Sequence, residues 1–155
     1  MPCRPRQNCN PYALASCHFI HLVLFLTTMS PAQKTVLVVE DEPDAAELFA
    51  EMMRVSGFRV VKMFSSTPAI KMIAQEKPDV VILDVMMPDV SGLEVLKFMR
   101  REPELKEIPV IVVSAKSMPS DIRTGMEAGA SIYLTKPVGY LELKHAVESL
   151  TESPA

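Results

Sequence analysis

Three short runs constrain this chain more than any other feature: Thr35-Val36-Leu37-Val38-Val39, Val80-Val81-Ile82-Leu83 and Val110-Ile111-Val112-Val113. Each is nearly all apolar and mostly β-branched. A strand with one wet face alternates apolar and polar side chains, and these runs do not alternate. Both of their faces must be covered, which is the condition of a parallel sheet with helices on each side.

The segments between the runs supply those helices. Pro43 stands where a helix would start, with Asp41 able to cap it. Ala45, Leu48, Phe49 and Met52 follow at helical spacing, with Glu47, Glu51 and Arg54 on the other side and Gly57 as a stop. Arg59–Phe64 predicts a second strand. Pro68 opens a helix bearing Ile70, Ile73 and Ala74. Gly92, Val95, Leu96 and Met99 stripe a third helix, and Ile122, Met126 and Gly129 a short fourth. Ile132–Leu134 predicts the fifth strand, and Leu143, Ala146, Val147 and Leu150 the last helix. Five strands alternating with five helices predict an α/β fold, a doubly wound parallel sheet.

Ligands of open α/β sheets bind beyond the carboxyl ends of the strands. Here strand one ends in Glu40-Asp41, strand three in Asp84, strand four in Ser114 and strand five in Thr135-Lys136-Pro137. Taken singly, each has an ordinary explanation: Asp41 and Ser114 as helix caps, Asp84 as a turn residue, Glu40 and Lys136 as solvated charges. Together they suit one chemistry. Clustered carboxylates repel unless a counter-charge joins them. Mg²⁺ prefers oxygen ligands and commonly uses one or two carboxylates plus a phosphate. One carboxylate is then free to attack phosphorus and form an aspartyl phosphate, while an ammonium neutralises the transferring group.

Three stretches carry a resemblance: Val-Leu-Val-Val-Glu40-Asp41-Glu42-Pro43, Asp84-Val-Met-Met-Pro88-Asp-Val-Ser-Gly92 and Tyr133-Leu-Thr-Lys136-Pro137. With Ser114 at the end of strand four, they resemble the signatures of response-regulator receiver domains over about residues 34–150, stand-alone and chemotaxis-regulator-like. The resemblance implies a flavodoxin-like sheet of order 2-1-3-4-5. It implies Asp84 as phosphoacceptor and Asp41 and Asp84 as carboxylate ligands of Mg²⁺. The backbone carbonyl of Met86 is then a third ligand, and Glu40 acts through water. It implies Lys136 as the lysine that contacts acceptor and phosphoryl oxygens, a cis Lys136–Pro137 bond, and Ser114 with Tyr133 as a switch pair. Met86 and Lys116 fall where the family tunes the lifetime of the phosphorylated state. Glu40 and Ser114 replace a frequent Asp and a frequent Thr, both common variants.

The implied partners are a histidine kinase or histidine phosphotransfer protein as donor, and a downstream protein target or a second copy of the chain on the output side. The output face expected is roughly Pro119–Ala128, Ile132–Leu134 and Tyr140–Leu150. The alternative is an enzyme, a metal-dependent phosphatase with a nucleophilic Asp, but strand one lacks the Asp-x-Asp pair of haloacid dehalogenases. A nucleotide- or flavin-binding module lacks its Gly-rich loop, since Glu40-Asp41-Glu42 would repel phosphate there. A degenerate scaffold would require loss of Asp84, Asp41 or Lys136, and all are present.

The net charge of -3 gives no basic field to recruit nucleic acid. Cys3, Cys9 and Cys17 all lie near the start, an odd set with neither disulfide nor zinc spacing. Residues 1–33 read as a leader outside the receiver of residues 34–152. Arg4 and Arg6 precede an apolar stretch interrupted by His18 and His21. Translation starting at Met29, a disordered tail and a membrane tether are the three readings of it. No output domain is expected after the last helix, and the phosphodonor chemistry places the body in the cytoplasm.

Overall fold

The computed structural model describes residues 33–152; the leader expectations for residues 1–32 lie outside them. Five parallel strands, β1 (Thr35–Val39), β2 (Arg59–Met63), β3 (Val80–Asp84), β4 (Val110–Ser114) and β5 (Ile132–Thr135), alternate with five helices. These are α1 (Pro43–Val55), α2 (Ser66–Glu76), α3 (Gly92–Arg101), α4 (Pro119–Glu127) and α5 (Tyr140–Thr151). The sheet order is β2-β1-β3-β4-β5, as the family resemblance implies.

The three non-alternating runs are the central strands, buried at every position. Their side chains divide by parity. Leu37, Val39, Val81, Leu83, Val110 and Val112 meet Ile73, Val95, Leu96 and Met99 of α2 and α3. Val36, Val38, Val80, Ile82, Ile111 and Val113 meet Phe49, Met53, Leu143 and Val147 of α1 and α5. Each fully buried Val, Leu or Ile contributes about 1.5–3 kcal/mol, so two full layers hold the strand ends in fixed register.

Three helices differ from expectation. α2 begins at Ser66 rather than Pro68 and buries Ser66, Ala69 and Ile73, leaving Ala74 of the expected stripe exposed. In α1 the buried face is Ala46, Phe49, Ala50 and Met53, and Leu48 is exposed. That face is turned by about one residue, roughly 100°, from the Ala45–Met52 stripe. Leu48 and Val55 instead lie with Met52 and Tyr140 in an outward apolar patch. In α4 the expected stripe fails: Met126 is exposed, Ile122 is half-buried and Gly129 lies past the helix end. Gly125 is the one buried residue of α4. Among the described residues no helix is long and apolar enough to cross a membrane.

Candidate functional site

Register brings the acids together. Val39 pairs with Leu83, so the next residues, Glu40 and Asp84, stand side by side at the ends of β1 and β3. Asp41 follows, and it does not cap α1, whose N-cap is Glu42 without a side-chain hydrogen bond. One carboxylate oxygen from each of Glu40, Asp41 and Asp84 lies within 4.8 Å of the others. Glu40 and Asp84 are 2% and 5% exposed, too deep for water to screen their repulsion.

One ammonium answers three carboxylates. Lys136 follows β5, and its N–H donates to the Ser114 carbonyl (2.8 Å). Its bond to Pro137 is cis. Its Nζ lies 2.7 Å from Glu40 Oε2 and 3.4 Å from Asp84 Oδ2, and 5.9 Å from the centre of the Phe49 ring. Burial raises the Glu40 pKa; the Lys136 hydrogen bond opposes this and Asp84 adds to it. Burial works against the Lys136 ammonium, yet Glu40 and Asp84 together raise its pKa. Three carboxylates gathered around the Lys136 ammonium leave more negative charge than that cation balances. Its donors are all oxygens, so the set fits a hard divalent cation such as Mg²⁺.

Asp84 Oδ1 accepts from the Met86 N–H (3.1 Å), which fixes the carboxylate against its own loop. The cleft above, roughly 470 Å³, is lined by Asp41, Met86, Pro88, Ser91 and Lys116 among others. Gly92 is required at its back: a Cβ there would lie 2.0 Å from the Asp84 carbonyl oxygen.

The structure therefore brings Glu40, Asp41, Asp84 and Lys136 together, with Met86 at the cleft. Ser114 and Tyr133 sit beyond them. Ser114 is fully buried one position past Val113, the partner of Asp84. Its Oγ accepts from the Lys116 N–H (3.2 Å). The Tyr133 hydroxyl donates to the Lys116 carbonyl (2.9 Å). The two side chains thus hold opposite ends of one residue's backbone. Tyr133 also rests on Gly125, where a Cβ would meet its ring at 2.5 Å. Sequence reasoning missed Gly125. Its signal was a glycine inside a helical segment, unfavourable unless space is needed.

Residues 36–148 match the model of the response regulator receiver domain. The chain belongs to that family. A candidate response regulator of Chloroflexus aurantiacus is 32% identical with a TM-score of 0.74, covering 77% of this chain and 98% of that one. The receiver domain of Francisella response regulator 1452 is 29% identical with a TM-score of 0.72, covering 77% and 97%. The receiver domain of the sensor histidine kinase PA1611 of Pseudomonas aeruginosa covers 79% of this chain and 100% of its own. It has a TM-score of 0.73 and holds a magnesium ion in its active-site cleft. At 24% identity that likeness speaks for the fold alone. This receiver is accordingly a signalling module of the two-component class, whose members work with histidine kinases and downstream effectors.

Proposed function

We propose that this receiver is a phosphoacceptor response regulator, in which Asp84 takes a phosphoryl group from a histidine kinase or histidine phosphotransfer protein. The observation that carries the reading is the set of three carboxylates within 4.8 Å with one ammonium in reach of Asp84. An Asp84 carboxylate oxygen forms a bond to the donor's phosphorus, and the bond from phosphorus to the donor nitrogen or oxygen breaks, its electron pair leaving with the donor. Lys136 holds Asp84 by one oxygen and can follow the charge as it moves onto phosphoryl oxygen. Asp41, Asp84 and the Met86 carbonyl would hold Mg²⁺ directly and Glu40 through water. The ion would supply neutralisation of phosphoryl charge, and the all-oxygen set of Glu40, Asp41 and Asp84 supports this choice.

Buried Asp84 is a poor surface for a partner to read, so the phosphorylated state is passed on by Ser114 and Tyr133 to the face of α4, β5 and α5. There a downstream protein or a second copy binds, with no direct contact to nucleic acid. The reading makes this a self-modifying cytoplasmic signal carrier, without turnover of an external substrate. With acetyl phosphate and Mg²⁺ the full chain should acquire acid-labile phosphate, and Asp84→Asn should abolish it. Full labelling of that variant would move the acceptor elsewhere.

A further inference from the structure

The loop from Val85 to Ser91, which carries Met86, is pinned at both ends. Near Asp84, the Gly92 N–H donates to the Val85 carbonyl (3.2 Å) and the Met86 N–H to Asp84. The other end is held by Asp89, a residue with no part in the acid cluster. Its Oδ2 accepts from the Ser65 hydroxyl (2.6 Å), the Ser66 N–H (3.1 Å) and the Thr67 N–H (3.3 Å), with the Thr67 hydroxyl at 3.5 Å. These donors form the start of α2, where Ser65, the N-cap residue, makes no capping bond with its own side chain. Asp89 supplies that cap from another loop. Beside it the Ser66 hydroxyl, fully buried, donates to the Val90 carbonyl (2.5 Å). The Ser65 hydroxyl first, and the backbone bonds after it, hold the Asp89 carboxyl far below the usual range, so the cap is ionised at neutral pH.

A helix start is well placed to take a carboxylate, because its first N–H groups have no partner inside the helix. The unusual feature is the direction of the constraint. α2 is packed into the core through Ala69 and Ile73, so it is the fixed body and the loop is the part being held. We propose that Asp89 is a positioning residue for the phosphorylation site, fixing the Val85–Ser91 loop so that the Met86 carbonyl faces the metal position. The inference rests on the acid pocket taking Mg²⁺ as proposed above.

The test is titration of the full chain with Mg²⁺ alone, followed by calorimetry, beside thermal unfolding. Asp89→Ala should weaken Mg²⁺ about tenfold, the scale of losing a group that orients a ligand. Asp89→Asn loses the charge but keeps an acceptor oxygen, and Asn caps as well as Asp, so its affinity should return to within about twofold of the parent. Equal weakening by Ala and Asn would show that Asp89 acts only through its charge, and the proposal would fall. Unchanged affinity in Asp89→Ala would overturn it too.

Should Asp89→Ala not fold, Ser65→Ala removes one donor and should still weaken Mg²⁺; no change there refutes the proposal. Ser131→Ala controls for general loosening. Its hydroxyl accepts from the Val110 N–H at the opposite end of the sheet. It should lower the melting temperature and leave Mg²⁺ affinity alone, and an equal loss of affinity would mean that any loosening suffices. A parent chain without saturable Mg²⁺ binding, or Asp41→Ala binding as the parent does, would bring down the reading of the pocket itself. No Asp89 variant can produce that pattern.

Discussion

Substituting Gly125 by Ala should reverse the sign usually seen for this change in a helix. Ala in place of a mid-helix Gly normally stabilises by about 0.5–1 kcal/mol. Here the added Cβ would stand 2.5 and 2.7 Å from Cδ2 and Cε2 of Tyr133. The ring must recede by roughly 1 Å to reach ordinary contact, and overpacking of this kind costs about 1–3 kcal/mol. Receding also strains the bond from the Tyr133 hydroxyl to the Lys116 carbonyl, worth about 0.5–1.5 kcal/mol. The net expectation is a loss of about 1–2 kcal/mol, a fall of roughly 4–8 °C in Tm for a folded body of this size. The decisive measurement is a double-mutant cycle by thermal unfolding. With Tyr133→Ala already in place the obstruction is gone, so Gly125→Ala should now raise stability by about 0.5–1 kcal/mol. If it changes stability equally in both backgrounds, Gly125 makes no room for the ring and the reasoning is refuted.

Arg100 donates from Nε to the Gly129 carbonyl and from Nη1 to the carbonyls of Lys106 and Ile108, each at 2.9 Å. Arg100→Met should therefore cost about 2–3 kcal/mol in denaturant unfolding, and Arg100→Lys should recover little, since an ammonium lacks the planar fork. Beryllofluoride added with Mg²⁺ should shift backbone amide resonances of α4, β5 and α5 as well as those around Asp84; shifts confined to the pocket would remove Ser114 and Tyr133 from the switch. A chain begun at Ser30 should melt cooperatively and take up phosphate like the full chain, and failure to fold would show that residues 1–29 are needed.

The strand layer and the acid cluster were legible because both follow from local rules. Runs such as Val110–Val113 tolerate no wet face, and the residue ending each such run must sit at the sheet's carboxyl edge. The helix faces were legible where the densest apolar stripe is the buried one, as Gly92, Val95, Leu96 and Met99 are in α3, with Phe98 exposed outside it. They were not where exposed apolar residues compete. Leu48 pulls the expected face of α1 off its buried one, because spacing cannot tell a core residue from one on an outward patch. The role of Asp89 was hidden for another reason. Its partners, Ser65 to Thr67, are joined to it only by the fold, and a cap supplied across loops leaves no sequence pattern.

The weakness of the α4 pattern is itself informative. A helix is held to a sheet by its buried side chains, and α4 buries a single residue, one without a side chain. Its seat is instead the Tyr133 ring, whose hydroxyl reaches the carbonyl of Lys116 while Ser114 holds the N–H of that same residue. Elements with few buried contacts open at low free energy, so α4 is held to the sheet less firmly than α1 or α3, which bury four residues each. If Asp84 is phosphorylated as proposed, a pull on Ser114 toward the phosphoryl group would compete with its bond to Lys116, and releasing one end of that residue would loosen the carbonyl on which the Tyr133 hydroxyl rests. The ring has discrete rotamers, so a displacement of about an ångström at Ser114 can become a change of rotamer at Tyr133 rather than a graded shift. The glycine that makes α4 hard to read in the sequence is what leaves space for that ring.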